Sequence, residues 1–191
     1  MTQSPNIWQF NFDSCSKQPE LSCFWHGGAL PPIAGLALKS WVKVGHSVQI
    51  FSYHPIENIP RYVVHRDARL VVAESEFIKA RQNSHPLAEF SDYFRYKLLS
   101  EQRTTWVDLD FVLFRPLPLD SPLLFGLETD LFVNNAVLRL PAGKRVTMAL
   151  ANRSAKILMK RHRFWGETGP KLLSWYVWTR RLGKHAFRQE A

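Results

Sequence analysis

Apolar and polar positions alternate along the chain in a pattern of short strands and longer helices. Apolar segments at 21–25, 47–53 and 68–73 predict three strands, and an apolar stripe over 31–44 predicts a helix between the first two. Patterns of the same two kinds predict helices at 86–102, 143–162 and 171–178, and strands at 125–128 and 131–138. Strands separated by helices are typical of α/β proteins, so we expect a mixed β-sheet flanked by helices. At 191 residues the chain is expected to form a single domain over 1–191, with a poorly defined N-terminal segment at 1–20.

The most apolar segment, 106–114, contains two acidic residues, Asp108 and Asp110. Seven of its nine residues are Trp, Val, Leu or Phe, which is typical of a strand covered on both faces. Residues two apart project from the same face of a strand, so we expect the two carboxylates to lie side by side. A carboxylate in such surroundings is costly unless a cation compensates it, and no Lys or Arg lies in the segment. The pair therefore predicts Mg²⁺ or Mn²⁺ shared with a substrate diphosphate, the alternative being two solvated carboxylates at a fraying strand end.

Two pairs of adjacent residues interrupt or end predicted strands. Gly27 and Gly28 follow the first strand, where they permit either a close approach of the backbone to a ligand or a tight turn. Asn134 and Asn135 lie inside the segment 131–138 and are expected to break that strand. Adjacent amides in apolar surroundings are costly unless they bond to a ligand or to the backbone. Each pair is therefore consistent with a ligand contact or with a local irregularity.

The predicted helix 86–102 places Phe90, Phe94 and Leu98 on one face, which we expect to contact the core. Asp92 and Arg95 are one turn apart on a neighbouring stripe. Their spacing alone favours a surface ion pair of a few tenths of a kcal/mol. The helix leads directly into the segment that carries the two acidic residues, however, and this position favours a place beside the carboxylates.

The composition is that of a globular protein with an aromatic-rich core, since 46% of the residues are apolar and 13% are aromatic. The chain has no run of about 18 apolar residues that could span a bilayer, and its N-terminus lacks a secretory-signal pattern. Cys15 and Cys23 do not have the spacing of metal ligands. We therefore expect a cytoplasmic protein with reduced thiols.

Positive charge is concentrated in the last part of the chain. Residues 139–191 contain 13 Lys and Arg against 2 Asp and Glu, and the net charge of the whole chain is +9. Such a region attracts phosphate, membrane or nucleic acid. Four cations spaced three or four residues apart form what we call the basic stripe: Arg153, Lys156, Lys160 and Arg163. The stripe is a surface for peripheral attachment to the inner face of the membrane, a set of cations that face the substrate diphosphate inside the cleft, or a solvated helix face.

Five short motifs follow one another along the chain. They are Trp25-His26-Gly27-Gly28, Ser40-Trp41, Ser91-Asp92-Tyr93-Phe94-Arg95-Tyr96, Asp108-Leu109-Asp110 and Thr168-Gly169-Pro170. In this order they resemble the DXD-containing sugar transferases of the GT-A fold, in particular the family 32 type, which includes capsular-polysaccharide and α-mannosyl or α-galactosyl transferases. The resemblance covers about residues 21–178 and implies a nucleotide-diphospho-sugar transferase fold.

The chain departs from the family pattern at two places. Arg103-Thr104-Thr105 stand where the family usually has Gly-Gly before the DXD strand. Family members generally continue past the Thr-Gly-Pro helix and supply another metal or diphosphate ligand there, a part that only His185 can take here. We therefore expect a short member of the family, with its C-terminus truncated relative to the others.

The resemblance implies transfer of a hexose from a UDP- or GDP-linked donor to a glycan or lipid-linked acceptor, with retention of the anomeric configuration. Asp110 would hold the donor diphosphate through Mn²⁺ or Mg²⁺, and Asp108 would bind the ribose or support the metal. Asp92 would bind donor-sugar hydroxyls, and Arg95 would brace Asp92 and the diphosphate. The remaining residues that the resemblance assigns to donor or acceptor binding are Trp25, Gly27, Gly28, Ser91, Asn134, Asn135, Thr168 and Gly169.

Two other interpretations remain open. Residues 108–113 also resemble the first motif of haloacid-dehalogenase-type phosphatases, in which the first Asp is the nucleophile. Phe111 stands where that family has a small residue, and only Glu167 and Glu190 follow Asp130, which argues against its downstream acidic pair. The third interpretation is a non-catalytic basic domain that binds nucleic acid or anionic lipid through 139–191. No nucleic-acid-binding motif is present, so charge alone supports it and no nucleic-acid partner is expected.

Overall fold

A computed structural model describes residues 19–82, 87–160, 164 and 166–186, so the predicted N-terminal segment lies almost wholly outside the described residues. Within them, six strands form: β1 (Leu21–Phe24), β2 (Val48–Ser52), β3 (Val64–Asp67), β4 (Thr105–Val107), β5 (Leu124–Leu127) and β6 (Val133–Arg139). The α-helices are α1 (Pro32–Lys43), α2 (Glu74–Gln82), α3 (Leu87–Glu101), α4 (Arg145–Leu158) and α5 (Pro170–Thr179). Short 3-10 helices cover Ala68–Leu70 and Gly183–His185.

The strands form one mixed sheet in the order β3-β2-β1-β4-β6-β5. The first four of these strands are parallel, whereas β6 is antiparallel to both β4 and β5. The carboxyl ends of β1, β2, β3 and β4 therefore lie at the same edge of the sheet. The prediction of a single α/β domain with a mixed sheet flanked by helices is confirmed.

Both faces of the sheet are covered by apolar side chains. On one face, Phe24 of β1 and Trp106 of β4 belong to an aromatic cluster with α3, α4 and α5, and Phe90, Phe94 and Leu98 of α3 are fully buried there, as predicted. The opposite face packs against α1, whose Leu38 and Trp41 are also fully buried. Burial of each such side chain contributes about 1.5–3 kcal/mol relative to an exposed position. This two-sided packing holds β1 and β4, and the loops that follow them, in place.

The helix between β1 and β2 has clear signals at both ends. Pro32 occupies its first turn, where a missing backbone N–H is not costly. Gly45 follows its end with a φ of +100°, and the His46 N–H then donates to the Trp41 carbonyl. No helix among the described residues combines the length and the hydropathy that crossing a membrane requires.

The prediction of a strand at 68–73 is wrong. The strand lies earlier, at β3, and is followed by the 3-10 helix Ala68–Leu70. Asp67 explains the difference, because its side chain accepts a hydrogen bond of 2.8 Å from the Arg69 N–H and so caps a helical turn. Val71 and Val72, which suggested a strand, are instead buried in the aromatic cluster.

The apolar segment 106–114 is a strand only in its first part. β4 ends before Asp108, which begins a turn closed by a 3.0 Å hydrogen bond from the Phe111 N–H to the Asp108 carbonyl. The expectation that Asp108 and Asp110 share one face of a strand is therefore wrong, because a spacing of two applies only to extended chain. The residues after the turn form a loop that packs against α1, where Trp41 Nε1 donates to the Phe111 carbonyl at 2.7 Å.

The strand predicted at 131–138 is not broken at its two asparagines. β6 runs through Asn134 and Asn135, and the irregularity lies in the partner strand, where the register shifts between Phe125 and Gly126. The Asn134 side chain is satisfied locally, since its Oδ1 accepts a hydrogen bond of 2.7 Å from the Ala136 N–H.

Candidate active site

A cavity of about 330 Å³ opens at the carboxyl ends of β1 and β4. Its walls come from residues 23–26, the start of α1, the first turns of α3, Trp106 and residues 108–110. In open α/β sheets, ligands bind in the crevice outside the carboxyl ends of the strands. Of the residues assigned from the sequence, the cavity brings together Trp25, Ser91, Arg95, Asp108 and Asp110.

Asp108 is firmly held in the cavity wall. Its Oδ1 accepts a hydrogen bond of 2.6 Å from Trp106 Nε1 and lies 3.2 Å from Arg95 Nη2. Burial raises the pKa of the Asp108 carboxyl, and the Arg95 charge and the Trp106 hydrogen bond oppose that rise. Its Oδ2 accepts no hydrogen bond within the described part of the chain. The carboxylate is therefore oriented through one oxygen and available through the other.

Asp110 has the opposite character. It is exposed at the rim of the cavity, and its side chain makes no hydrogen bond or ion pair with any other described residue. Its negative charge contributes to the raised pKa of Asp108, so the two carboxylates lie within electrostatic reach of each other. Asp110 is thus a free carboxylate beside a fixed one.

Arg95 links the cavity to a buried polar network. The alternative of an exposed Asp92–Arg95 ion pair is wrong, since the two residues are only 8% and 5% exposed. Arg95 Nη2 lies 3.5 Å from Asp92 Oδ1 as well as 3.2 Å from Asp108 Oδ1, so one guanidinium bridges both carboxylates. The guanidinium also lies over the Trp106 ring, 4.9 Å from its centroid. These contacts fix Arg95 in the wall of the cavity rather than leaving it free in the cleft.

Asp92 joins three parts of the chain. Its Oδ1 accepts a hydrogen bond of 2.8 Å from Asn135 Nδ2 of β6, and its Oδ2 accepts one of 2.9 Å from Thr168 Oγ1, in the loop before α5. Burial raises the pKa of Asp92, while the Arg95 charge and the Thr168 and Asn135 hydrogen bonds oppose the rise. Asp92 does not line the cavity, so a contact with a donor hydroxyl would have to share an oxygen that already has a partner.

The loop before α5 is packed directly onto Asp92. A Cβ at Gly169 would collide with the Asp92 carboxylate, so only glycine fits there. The Gly169 N–H donates to the Gly166 carbonyl at 3.2 Å, and its own carbonyl accepts a hydrogen bond of 3.0 Å from the Tyr96 hydroxyl. In this structure Thr168 and Gly169 therefore brace the buried network and do not face the cavity.

The glycines after β1 serve close packing within the chain. A Cβ at Gly27 would lie 3.1 Å from Trp25 Nε1, and a Cβ at Gly28 would lie 2.8 Å from Glu57 Oε1. Neither glycine lines the cavity, whereas the Trp25 side chain does. The buried Trp25 Nε1 has no hydrogen-bond partner among the described residues, an unusual state for a buried donor.

His26 lines the cavity and had no assigned role from the sequence. Its ring centroid lies 4.7 Å from that of Phe77 and 6.3 Å from that of His54. Burial, followed by the His54 charge, lowers the pKa of His26 and favours the neutral ring. Its position inside the Trp-His-Gly-Gly motif was the signal that could have identified it.

The residues present can supply only part of a metal site. No group of three or more His, Cys, Asp or Glu that could hold a metal ion occurs in the described part of the chain. His185, the expected further ligand, is exposed in the last 3-10 helix and does not line the cavity. Two carboxylates with a free oxygen each nevertheless fit Mg²⁺ or Mn²⁺, because such ions commonly take one or two carboxylates together with substrate phosphates.

The basic stripe lies away from this cavity. Its members Arg153, Lys156 and Lys160 are exposed along and just after α4, while Arg163 lies outside the described residues. The Arg153 guanidinium lies 5.5 Å from the centroid of the Trp175 ring of α5. None of the three lines the cavity, so the competing assignment of this charge to the donor diphosphate has no support here.

Comparison with known proteins identifies the type of fold. No protein-family model and no curated protein matches the sequence. A solved structure described as "PaToxG Glycosyltransferase" is similar to the chain with a TM-score of 0.63 and 13% sequence identity. The similarity covers 87% of this chain and 70% of that one. The chain therefore has a glycosyltransferase fold.

Proposed function

We propose that the chain is a metal-dependent glycosyltransferase that moves a hexose from a UDP- or GDP-linked donor to a glycan or lipid-linked acceptor. One observation carries the proposal: within a glycosyltransferase fold, Asp108 and Asp110 follow the central strand β4 directly and border the cavity at its carboxyl end. The structural likeness supports glycosyl transfer in general. The donor, the acceptor and the metal rest on the chemistry of these residues and on the motif resemblance.

The charges of the site favour a divalent cation. Asp92, Asp108 and Asp110 carry three negative charges when ionised, and Arg95 supplies the one positive charge in contact with two of them. The formal sum is −2, which would repel a donor diphosphate unless a cation of matching charge bound with it. Asp110 and Oδ2 of Asp108 are the groups that would hold Mn²⁺ or Mg²⁺. When bound, the ion would neutralise charge on the departing diphosphate.

The remaining residues would position the donor. Asp108, oriented by Trp106 and Arg95, presents a fixed oxygen to the ion or to ribose hydroxyls. Trp25 and Ser91, which also line the cavity, would contact the donor. In the reaction, the bond from the anomeric carbon to the diphosphate breaks and a bond from that carbon to the acceptor oxygen forms, while the proton of a hydroxyl acceptor would pass to the departing diphosphate. Because the transition state resembles an oxocarbenium ion, orientation and preorganised charge supply most of the acceleration.

Donor turnover tests this function. The full chain is incubated with a panel of UDP- and GDP-hexoses and Mn²⁺, and release of the nucleotide diphosphate is measured together with the anomeric configuration of any product. We expect release from one donor class, its loss in Asp110→Asn, and a retained configuration. Asp120→Asn, which removes an exposed carboxylate outside the cavity, is the matched control and should keep wild-type turnover. Turnover of no donor, or equal turnover in wild type and Asp110→Asn, would contradict the proposal.

A further inference from the structure

A second, larger cavity of about 840 Å³ lies next to the candidate active site. One wall is the loop 111–118 that follows Asp110, and the other is formed by Leu124–Gly126 of β5 and by Val137 of β6. We call this cavity the apolar groove. Its volume is within the range of about 300–1,000 Å³ that is typical of small-molecule sites.

The loop that forms the groove is held from its other side. The Leu113 N–H donates to Ser40 Oγ at 2.9 Å, and the Leu117 N–H donates to His46 Nε2 at 2.9 Å. Pro116 and Pro118 have no N–H to donate. Two backbone donors of this loop are thus directed away from the groove, at Ser40 of α1 and at His46, which follows that helix.

Among its twelve lining residues, Arg115 carries the only charge and the other eleven are apolar or glycine. Arg115 is exposed, and its side chain has no ion pair or hydrogen bond in the described part of the chain. Phe114 is 93% exposed and Phe111, in the same lining, is 41% exposed, and apolar surface exposed together in this way is typical of a contact with lipid or with a partner. An apolar groove with one free cation at an exposed aromatic residue is complementary to a molecule with an apolar chain and an anionic head.

We propose that the apolar groove binds the hydrocarbon chain of an anionic amphiphile, with its phosphate head beside Arg115, and that this molecule is the acceptor. A peptide fits less well, because Arg115 is the only lining side chain that could serve as a polar partner for its backbone groups. The acceptor role rests on the proposed function, whereas the binding site does not. Phe111 connects the two cavities, since it lines the groove and closes the turn that carries Asp108 and Asp110.

As acceptor, one phosphate oxygen of the amphiphile would form the bond to the anomeric carbon while the bond from that carbon to the donor diphosphate breaks. The electron pair of the broken bond leaves with the diphosphate. A phosphate head reacts as an anion, so no proton has to be removed from it and no general base is required.

Binding of octyl, decyl and dodecyl phosphate to the full chain tests the groove, measured by calorimetry below the micelle concentration and without nucleotide. We expect affinity to rise with chain length by up to about fourfold per methylene, the limit set by full burial. Arg115→Gln should weaken the binding of the alkyl phosphates by about fivefold and leave the binding of the neutral octyl glucoside unchanged. Phe114→Asp should weaken the binding of all these amphiphiles. Leu70→Asp is the control and should weaken the binding of none, because Leu70 is an exposed apolar residue beside the opposite edge strand.

Three outcomes would overturn the proposal. The first is an affinity that does not depend on chain length, and the second is an affinity that neither Arg115→Gln nor Phe114→Asp changes. The third is that alkyl phosphates do not bind and that sedimentation shows a dimer which Phe114→Asp dissociates. The last outcome would make the groove an interface between copies of the chain. Asp110→Asn should leave alkyl-phosphate binding unchanged, so failure of the groove and failure of the donor site can be told apart.

Discussion

Replacing Arg95 by Met tests the buried network that holds the candidate site. The guanidinium contacts Asp92, Asp108 and the Trp106 ring and is almost completely buried. Removing one partner of a buried ion pair costs about 3–5 kcal/mol, because the other charge is left without compensation. Here two carboxylates lose their cation, so we expect the free energy of unfolding to fall by an amount in that range. This is a large share of the roughly 5–15 kcal/mol that stabilises a typical domain.

The same change should depend on pH in a defined direction. Burial already raises the pKa of Asp92 and Asp108 above the ordinary value of 3.8, so both carboxyls bind protons more tightly in the folded protein than in the unfolded chain. Their contribution to stability is complete below that ordinary value and is lost as pH rises through the raised pKa values. Without Arg95 both pKa values rise further. The deficit of Arg95→Met should therefore be largest at neutral pH and shrink on acidification.

Urea denaturation followed by tryptophan fluorescence measures this deficit, at about pH 7 and about pH 5. Arg69→Met is the matched control, since Arg69 also bridges two carboxylates, Asp67 and Glu74, but its side chain is 43% exposed. The free energy of unfolding of this control should fall by less than about 1 kcal/mol. If Arg95→Met unfolds completely, Arg95→Lys keeps the charge and allows the same comparison. A deficit below about 1 kcal/mol, or one that does not change with pH, would refute the reasoning.

Three further predictions concern the donor site, the loop before α5 and the membrane. Asp110→Asn should change the free energy of unfolding by no more than about 0.5 kcal/mol, because the carboxylate is exposed and unpaired in the described structure; a larger loss in urea denaturation would make Asp110 a structural residue. Gly169→Ala should destabilise by about 1–3 kcal/mol through its collision with Asp92, whereas Gly35→Ala, with no atom within 4 Å of the added Cβ, should be neutral or stabilising in thermal melts; equal melting temperatures would contradict this. Changing the basic stripe to Glu should release the chain from anionic vesicles, at up to about 1 kcal/mol per cation, without altering nucleotide affinity, and co-sedimentation at rising salt checks this. Undiminished vesicle binding by that variant would assign the stripe to a solvated face.

Local patterns were sufficient for most of the fold. The apolar stripe of α1, its proline start and the buried Phe90, Phe94 and Leu98 follow from residue spacing, because each is decided by one helix and its nearest neighbours. The end of β4 could not be predicted from residue spacing. The apolar residues after Asp110 are typical of a strand, but Leu113 is buried against α1 and the Phe111 carbonyl accepts a hydrogen bond from Trp41, about seventy residues earlier in the chain.

The candidate site was predictable in position but not in arrangement. The motif spacing brought Asp92 and Arg95 close to Asp108, yet it could not reveal which groups face the cavity. The partners of Asp92 are Asn135 and Thr168, which lie 43 and 76 residues further along the chain, and only the folded structure brings them together. The assignment of Asp92 and Thr168 to donor contacts therefore remains a prediction, and the geometry favours a positioning role for both.

Calorimetric titration of UDP and GDP, with and without Mn²⁺, tests most directly whether the carboxylates after β4 hold a nucleotide diphosphate through a divalent cation. We expect one of the two nucleotides to bind in the presence of Mn²⁺ and to bind at least tenfold more weakly without it, a difference of about 1.4 kcal/mol or more. Asp110→Asn should remove that difference and leave the fold intact. Equal affinity with and without Mn²⁺, or no binding of either nucleotide, would contradict the account.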